Sequence, residues 1–324
     1  MRAGRLGLAL ICAALVALIT AASASAAACV VRKSTEAIVD DSGSMGGTDG
    51  NKLRVQALKL YMSTPGNEQK LLGATEFGSD ASAVFDPGPI GPNRSAFGTA
   101  LDQRIQADNG GTNYNAAFDF ARVHNPNADS RIFLTDGEPT EPDSGYADNH
   151  RGGPPTHVIG LFRFISSSNE ALLKRIASET GGIYRRARDA GELQAAMNDV
   201  NAVVNCQSPP KRFTNFFNKS GQSKRLAIRI PRGTRSVQFA VSWENASDSF
   251  DIGSFTIRRG GKVLARARAR RLRVRKRRGS TFVTVKVSRV VRGRMRFRVR
   301  ARRVSSNTFT GVRLITQASR SKRR

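Results

Sequence analysis

The hydrophobic rhythm of this chain changes once, near residue 207, and the change calls for two kinds of packing in one polypeptide. Before it, short apolar runs such as "EAIVD" (36–40), "LLGATEF" (71–77), "RIFLTDG" (131–137) and "HVIGLF" (157–162) alternate with helix-like stretches. "KLRVQALKLYMS" (52–63) places Leu53, Ala57, Leu60 and Tyr61 at helical spacing. "AAFDFARV" (116–123) and "NEALLKRIASETGG" (169–182) also fit helices, the second opened by "SSSNE" and closed by glycines, and "AGELQAAMNDVNAVV" (190–204) is amphipathic. Strands alternating with helices predict a doubly wound α/β unit, a mostly parallel sheet covered on both faces. After residue 207 the apolar period is two, as in "RLAIRI", "VQFAVSW", "TFVTVKV" and "RMRFRVRAR". Several short alternating strands with turn residues between them predict a smaller antiparallel β-sandwich.

Charge divides at the same place. Residues 1–206 hold 19 Lys+Arg against 22 Asp+Glu, net −3, whereas residues 207–324 hold 34 against 3, net +31. Such asymmetry marks two physically different modules. The expected organisation is a signal peptide over 1–28, an α/β domain over 29–206 and a linker over 207–211 stiffened by Pro209 and Pro210. A basic β-sandwich over 212–318 and a basic tail over 319–324 complete it. The signal peptide is expected from Arg2 and Arg5, the apolar stretch from Leu6 to Thr20 and the small residues of "AASASAAAC". The mature chain would then be secreted or held at the cell surface, with no transmembrane helix, and Cys12 would leave with the leader. Cys29 and Cys206 remain as a pair in an oxidising compartment and are expected to bridge. The other possibility for Cys29, a lipidated N-terminus, meets Ala at 26–28 where such signals carry Leu.

Open parallel sheets bind ligands beyond the carboxyl ends of their strands. Asp40 ends the first apolar run, Asp136 ends "RIFLTD", and Thr112 sits in the glycine-rich "NGGTN" ahead of a helix. With Ser42 and Ser44 they form a set of hard oxygen donors without Cys or His, which selects Mg²⁺, Mn²⁺ or Ca²⁺ over zinc. Asp40-x-Ser42-x-Ser44, then Thr112, then Asp136 resembles the metal-ion-dependent adhesion site of von Willebrand factor type A domains. The surroundings agree: "LLGATEFGSDASAVF" is similar to the family's hairpin of second and third strands, and "LLKRIASETGGIYRRARDAGELQAAM" to its last strand and helix.

That resemblance, over about residues 30–205, implies a Mg²⁺ (or Mn²⁺ or Ca²⁺) held by the three hydroxyls and two Asp. It also implies one position open to an Asp or Glu of a protein partner, and chain ends close enough for the Cys29–Cys206 bridge. Against it stands a capping role, in which Asp40, Ser42 and Ser44 precede one helix and Thr112 another. Asp41 lies beside this site, where its charge either weakens anionic ligands or sits on the rim. Residues 138–155, rich in Pro, Gly and acids, form a loop on the ligand face, either for specificity or as a solvated connection.

Catalysis is not expected. No GxSxG, Walker or HExxH pattern occurs, and the histidines (His124, His150, His157) match no zinc spacing. In the basic module Leu226, Ile228, Ile230, Val237, Phe239, Val241 and Trp243 are expected inward, as are Met295, Phe297, Val299 and Ala301. Arg294, Arg296, Arg298, Arg300 and Arg302 face outward, and Arg266, Arg268 and Arg270 share one face. Like charges facing each other across strands are destabilising, so the array either is merely solvated or attaches to an anionic surface polymer. Polyanion binding through Arg266, Arg268, Arg270, Arg294, Arg296, Arg298 and Arg300, with a structural α/β domain, is the alternative function. Sequence-specific nucleic-acid reading is not expected, because the aromatics lie on the inner face. The acids of "WENASDSFD" (Glu244, Asp248, Asp251) are expected in a solvated turn, with weak Ca²⁺ binding or a carboxylate offered to the first module as the other options.

Overall fold

The computed structural model describes residues 29–137, 139–140, 153–162, 165–207, 211–243, 245–266, 272–305 and 308–315. The expected signal peptide, Pro209 and Pro210 of the linker, Glu244, His150, most of the 138–155 loop, Arg268, Arg270 and the basic tail lie outside these residues.

The first unit is the expected α/β fold. Its strands are β1 (Ser34–Asp40), β2 (Leu71–Phe77), β3 (Ala81–Pro89), β4 (Ser130–Thr135), β5 (Thr156–Leu161) and β6 (Tyr184–Ala187), in the sheet order β3-β2-β1-β4-β5-β6. All pairs are parallel except the β2–β3 hairpin. Central strands are buried on both faces, which is why β1, β4 and β5 are closed to solvent along their whole length. Alternation divides their side chains between two cores. Ala37, Val39, Ile132 and Leu134 pack with α2 (Leu53–Ser63), α3 (Ile90–Arg104) and α6 (Ala190–Val204). Ile38, Phe133 and Val158 face α4 (Tyr114–His124) and α5 (Ser167–Glu179), where Phe77, Tyr114, Phe118 and Phe133 form an aromatic cluster. A one-turn helix, α1 (Met45–Thr48), follows β1. Cys29 and Cys206 form a disulfide with their Cα atoms 5.6 Å apart.

Helix α3 is not apparent in the sequence pattern. Its residues "IGPNRSAFGTALDQR" contain two glycines and a proline and show no continuous apolar stripe. Pro92 is tolerated because it falls in the first turn, where its missing N–H costs no intrahelical bond. The helix is held instead by burial of Ile90, Phe97 and Leu101 and by stacking of Phe97 on Phe85 of β3.

The second unit is the expected antiparallel sandwich. One sheet has the order β11-β10-β14-β8, from β8 (Ser223–Ile230), β10 (Ser249–Arg259), β11 (Lys262–Arg266) and β14 (Gly293–Arg303). The other has the order β12-β13-β9-β15-β7, from β7 (Lys211–Phe217), β9 (Ser236–Trp243), β12 (Arg273–Arg278), β13 (Phe282–Ser288) and β15 (Thr308–Ile315). Their inner faces share Ile228, Ile230, Val237, Phe239, Val241, Trp243, Met295, Phe297, Val299 and Ala301 in one core, and Leu226 packs against it half-buried. Asp251 lies within β10 rather than in a turn, where it pairs with Lys276, Arg278 and Arg302. Asp248 is buried and accepts from the amide and hydroxyl of Ser305.

Strand β9 is buried at every position, not at alternate ones. Its second face meets the first unit. Leu60 of α2 packs against Ala240 and Phe282, Gln238 Nε2 donates to the Pro65 carbonyl at 2.8 Å, and Thr284 Oγ1 donates to the Ser63 carbonyl at 3.2 Å. From α6, Gln194 Nε2 reaches Thr281 Oγ1 at 3.0 Å. The five-stranded sheet therefore lies between its partner sheet and two helices.

Candidate metal centre

Sheet order reverses between β1 and β4, the neighbours that lead to opposite edges, and beyond the carboxyl ends of these two strands lie the predicted donors. Asp40 is the last residue of β1, Ser42 and Ser44 follow in the turn before α1, Asp136 directly follows β4, and Thr112 lies two residues before α4. Four of the five are joined in one chain of hydrogen bonds. Ser42 Oγ donates to Asp40 Oδ1 at 2.5 Å, Ser42 and Ser44 hydroxyls share a bond at 3.0 Å, and Ser44 Oγ donates to Asp136 Oδ1 at 2.9 Å. Thr112 is buried on the adjoining loop and its hydroxyl does not enter this chain. Its loop is nevertheless bound to the first one: Gly43 N donates to Gly110 O at 2.9 Å, and Asn109 N to Asp41 O at 3.0 Å.

Capping does not account for these residues. Ser44 stands at the N-cap of α1 without a side-chain cap bond. Helix α4 is capped by Asn113, whose Oδ1 accepts from Ala116 N at 3.0 Å, so Thr112 is spared that task. Asp49 caps α2, accepting from Leu53 N at 2.7 Å and Arg54 N at 2.9 Å.

Electrostatically the pair of acids is under-neutralised. Asp40 is fully buried, and burial together with the Asp136 charge pushes its carboxyl up to about 6, although three hydrogen bonds from Ser42 and Thr135 oppose the shift. Burial also raises Asp136, against bonds from Thr48 and Ser44. Asp136 Oδ2 is buried without a hydrogen-bond partner. A cation placed among these oxygens would offset both costs, so the residues fit a divalent ion. Among the described residues no group of three or more His, Cys, Asp or Glu could hold a metal ion, so any donor set here would draw on hydroxyls, main-chain carbonyls or water beside the two carboxylates.

Several residues that serve the site escape the sequence pattern. Thr135 Oγ1 donates to Asp40 Oδ2 at 2.6 Å and accepts from Gly137 N at 3.1 Å, while Tyr114 OH donates to Gly137 O at 2.8 Å. Thr140 Oγ1 accepts from Thr112 N at 2.9 Å. Asp41 is not on the rim. It is buried, bonded to Arg54 at 3.0 Å, and accepts the amides of Gln106 and Ala107 at 3.1 and 2.7 Å. A carboxylate next to the first Asp would have identified it only together with a buried arginine fourteen residues into the motif, a pairing that no local spacing announces.

The histidines stand apart. His124, at the end of α4, bonds Glu36 at 3.0 Å and Asp86 at 3.3 Å. His157, in β5, is buried and accepts from Ile183 N at 3.3 Å through Nδ1. Burial, then the charge of Arg32, pushes His157 down to about 4. Its folded value is depressed, so the stability gained by keeping it neutral is present above its ordinary 6.5 and is lost as pH falls from there through 4. Urea unfolding of the wild type between pH 7 and 4.5 is expected to show a steeper loss than His157→Leu, and equal slopes would show that His157 does not titrate on unfolding.

The sequence profile of the von Willebrand factor type A domain matches residues 37–199. Among solved structures, a von Willebrand factor type A protein from Catenulispora acidiphila is similar at 15% identity, over 90% of this chain and 63% of its own, with a TM-score of 0.47. Proximal thread matrix protein 1 of the mussel byssus is similar at 16% identity, over 57% of this chain and 50% of its own, with a TM-score of 0.46. The pilus adhesin SpaC of Lactobacillus rhamnosus GG is similar at 14% identity, over 89% and 44%, with a TM-score of 0.43. The chain thus spans half to just under two thirds of the length of the first two of these structures. No curated protein matches it.

Proposed function

The chain belongs to the von Willebrand factor type A domain family, and from that premise we propose that it is an exported adhesion module. In this reading it grips an Asp or Glu of a protein partner through a divalent cation at Asp40, Ser42, Ser44, Thr112 and Asp136. The observation that carries the proposal is the hydrogen-bonded chain from Asp40 through Ser42 and Ser44 to Asp136, which ends in the unpartnered Asp136 Oδ2. Mg²⁺ is the ion assigned in this reading, with Mn²⁺ and Ca²⁺ as hard-oxygen alternatives. Bound there, the ion would supply a Lewis-acidic position that a partner carboxylate can occupy.

The protein's own residues prepare that position. Thr135 fixes one oxygen of Asp40 and Ser42 the other, so the carboxylate cannot rotate. Neutral hydroxyls supply the remaining donors, leaving positive charge for an incoming anion. Domains of this family act generally in adhesion and interaction. Export is supported by the leader-like N-terminus and by the Cys29–Cys206 bridge, which suits an oxidising compartment. Among the described residues no helix is long and apolar enough to cross a membrane.

Calorimetric titration of Mg²⁺ is expected to show one saturable site in the wild type and none in an Asp40→Ala, Asp136→Ala variant. Normal folding of the variant is to be checked by circular dichroism. Binding that survives in the variant, or none in the wild type, would overturn the proposal.

A further inference from the structure

The arginines of the four-stranded sheet are not equivalent along its length. At one end, Arg302 donates to Asp251 at 2.9 Å, and Lys276 and Arg278 pair with the same carboxylate. At the other end the outer face forms a hollow of about 770 Å³ lined by Arg229, Arg258, Arg259, Arg292, Arg294 and Arg296, with no acid in its wall. All six are exposed, and among the described residues none forms an ion pair. Of the module's three acids, Asp248 and Asp251 are engaged elsewhere and Glu244 lies outside the described residues.

The strand register builds this concentration of charge. Arg294 of β14 lies opposite Arg229 of β8 on one side and Arg258 of β10 on the other, a row of three guanidinium groups across three neighbouring strands. Like charges so placed repel, and inward packing does not explain them, since the core is made by the alternate residues. Two local devices keep the hollow open. Gly293 has no Cβ, which would otherwise meet the Arg258 carbonyl at 2.6 Å, so β14 can start close against β10. Gly260 and Gly261 turn the chain tightly with φ of 53° and 78°, holding Arg259 at the wall.

We infer that this hollow binds a linear phosphate-bearing polymer, a site separate from the proposed metal centre. The shape of the donor set favours phosphate. A carboxylate has two oxygens in one plane and is satisfied by one guanidinium fork, whereas the oxygens of a tetrahedral phosphate spread in space and accept from several forks. Three forks from three strands suit the second geometry. A polymer is favoured over a single ion because Arg294, Arg296 and Arg298 continue from the hollow at alternate positions of β14, about 7 Å apart. Arg298 lies opposite Arg225, extending the row. Stacking of bases is not provided for on this sheet, since its aromatics, Phe250, Phe255 and Phe297, are all buried. On the opposite sheet the central strands β9 and β13 face α2 and α6, which closes their outer positions to a polymer. The site thus differs from the arginine set expected from sequence: Arg294, Arg296 and Arg298 remain, and Arg225, Arg229, Arg258, Arg259 and Arg292 join them.

The test titrates the full-length protein with medium-chain inorganic polyphosphate at several salt concentrations, with EDTA present so that no cation bridges. Three variants are compared with the wild type: Arg229→Gln/Arg258→Gln/Arg294→Gln, a control Arg273→Gln/Arg275→Gln/Arg289→Gln of equal net charge, and Asp40→Ala/Asp136→Ala. Binding is expected to weaken at least about tenfold in the first variant, with the salt slope reduced by about 2, and to change little in the other two. Equal weakening in the first two variants would reduce the effect to net charge and overturn the site, as would no binding by the wild type. Poly-glutamate of matched charge is expected to bind more weakly, and equal affinity would overturn the assignment to phosphate. Because the Asp variant retains polyphosphate binding in this scheme, failure of the metal proposal and failure of this one are told apart.

Discussion

Replacing Arg54 by Met is expected to lower the stability of the protein by about 3–5 kcal/mol, the range for breaking a buried ion pair from one side. Arg54 is completely buried in α2, and its guanidinium lies between Asp41 at 3.0 Å and Asp49 at 3.1 Å. Both acids are themselves closed to solvent. Methionine fills much of the same volume but leaves two carboxylates without a counter-charge. The urea midpoint should fall with the slope unchanged. Adding Asp41→Asn and Asp49→Asn to Arg54→Met should recover part of the loss, because the buried charges are then gone. A fall below about 1 kcal/mol would mean that water reaches the pair. The variant should also weaken Mg²⁺ binding, since Asp41 ties the β1–α1 turn to Gln106 and Ala107 and so holds the Thr112 loop in register with Ser42 and Ser44.

Removal of the disulfide ranks next. A Cys29→Ser, Cys206→Ser variant is expected to lose about 2–4 kcal/mol, below the chain-entropy ceiling of about 5 for so long a loop. Residual structure in the unfolded chain keeps real bridges below that ceiling. Arg32 N donates to the Val204 carbonyl at 2.9 Å and Lys70 Nζ reaches the same oxygen at 3.1 Å, so the two ends remain associated without the bridge. In thermal melts the loss corresponds to a drop of roughly 5–15 °C. A drop under about 2 °C would show that the bridge does little to constrain the unfolded chain.

The placement of the candidate donors was legible in the sequence, because each strand of a parallel sheet announces its carboxyl end by the close of an apolar run. Asp40 and Asp136 stand at two such closes, and the sheet order brings those strands together. The supporting residues were not legible. Thr135 and Tyr114 act across more than twenty residues of intervening chain, and their bonds to Asp40 and Gly137 depend on how α4 seats against β4. Asp41 illustrates the limit most clearly: its neighbours in sequence suggest a rim charge, and only the arrival of Arg54 from α2 turns it inward.

The basic module divides in the same way. Period-two alternation determined its strands, its inner face and the outward row of arginines along β14. It could not determine what lies on the outer face of each sheet, because alternation distinguishes one side of a strand from the other without identifying the neighbour. The short polar side chains of Gln238, Ser242 and Thr284 look like a solvated face, yet they are buried beside α2 and α6. Which arginines lie opposite each other depended on the register of β8, β10 and β14, and hence on pairings between segments up to about seventy residues apart. Local patterns therefore determined the elements and the strand ends at which the candidate donors gather. Contacts between distant elements decided which charges are neutralised, which are left open, and which polar faces are closed.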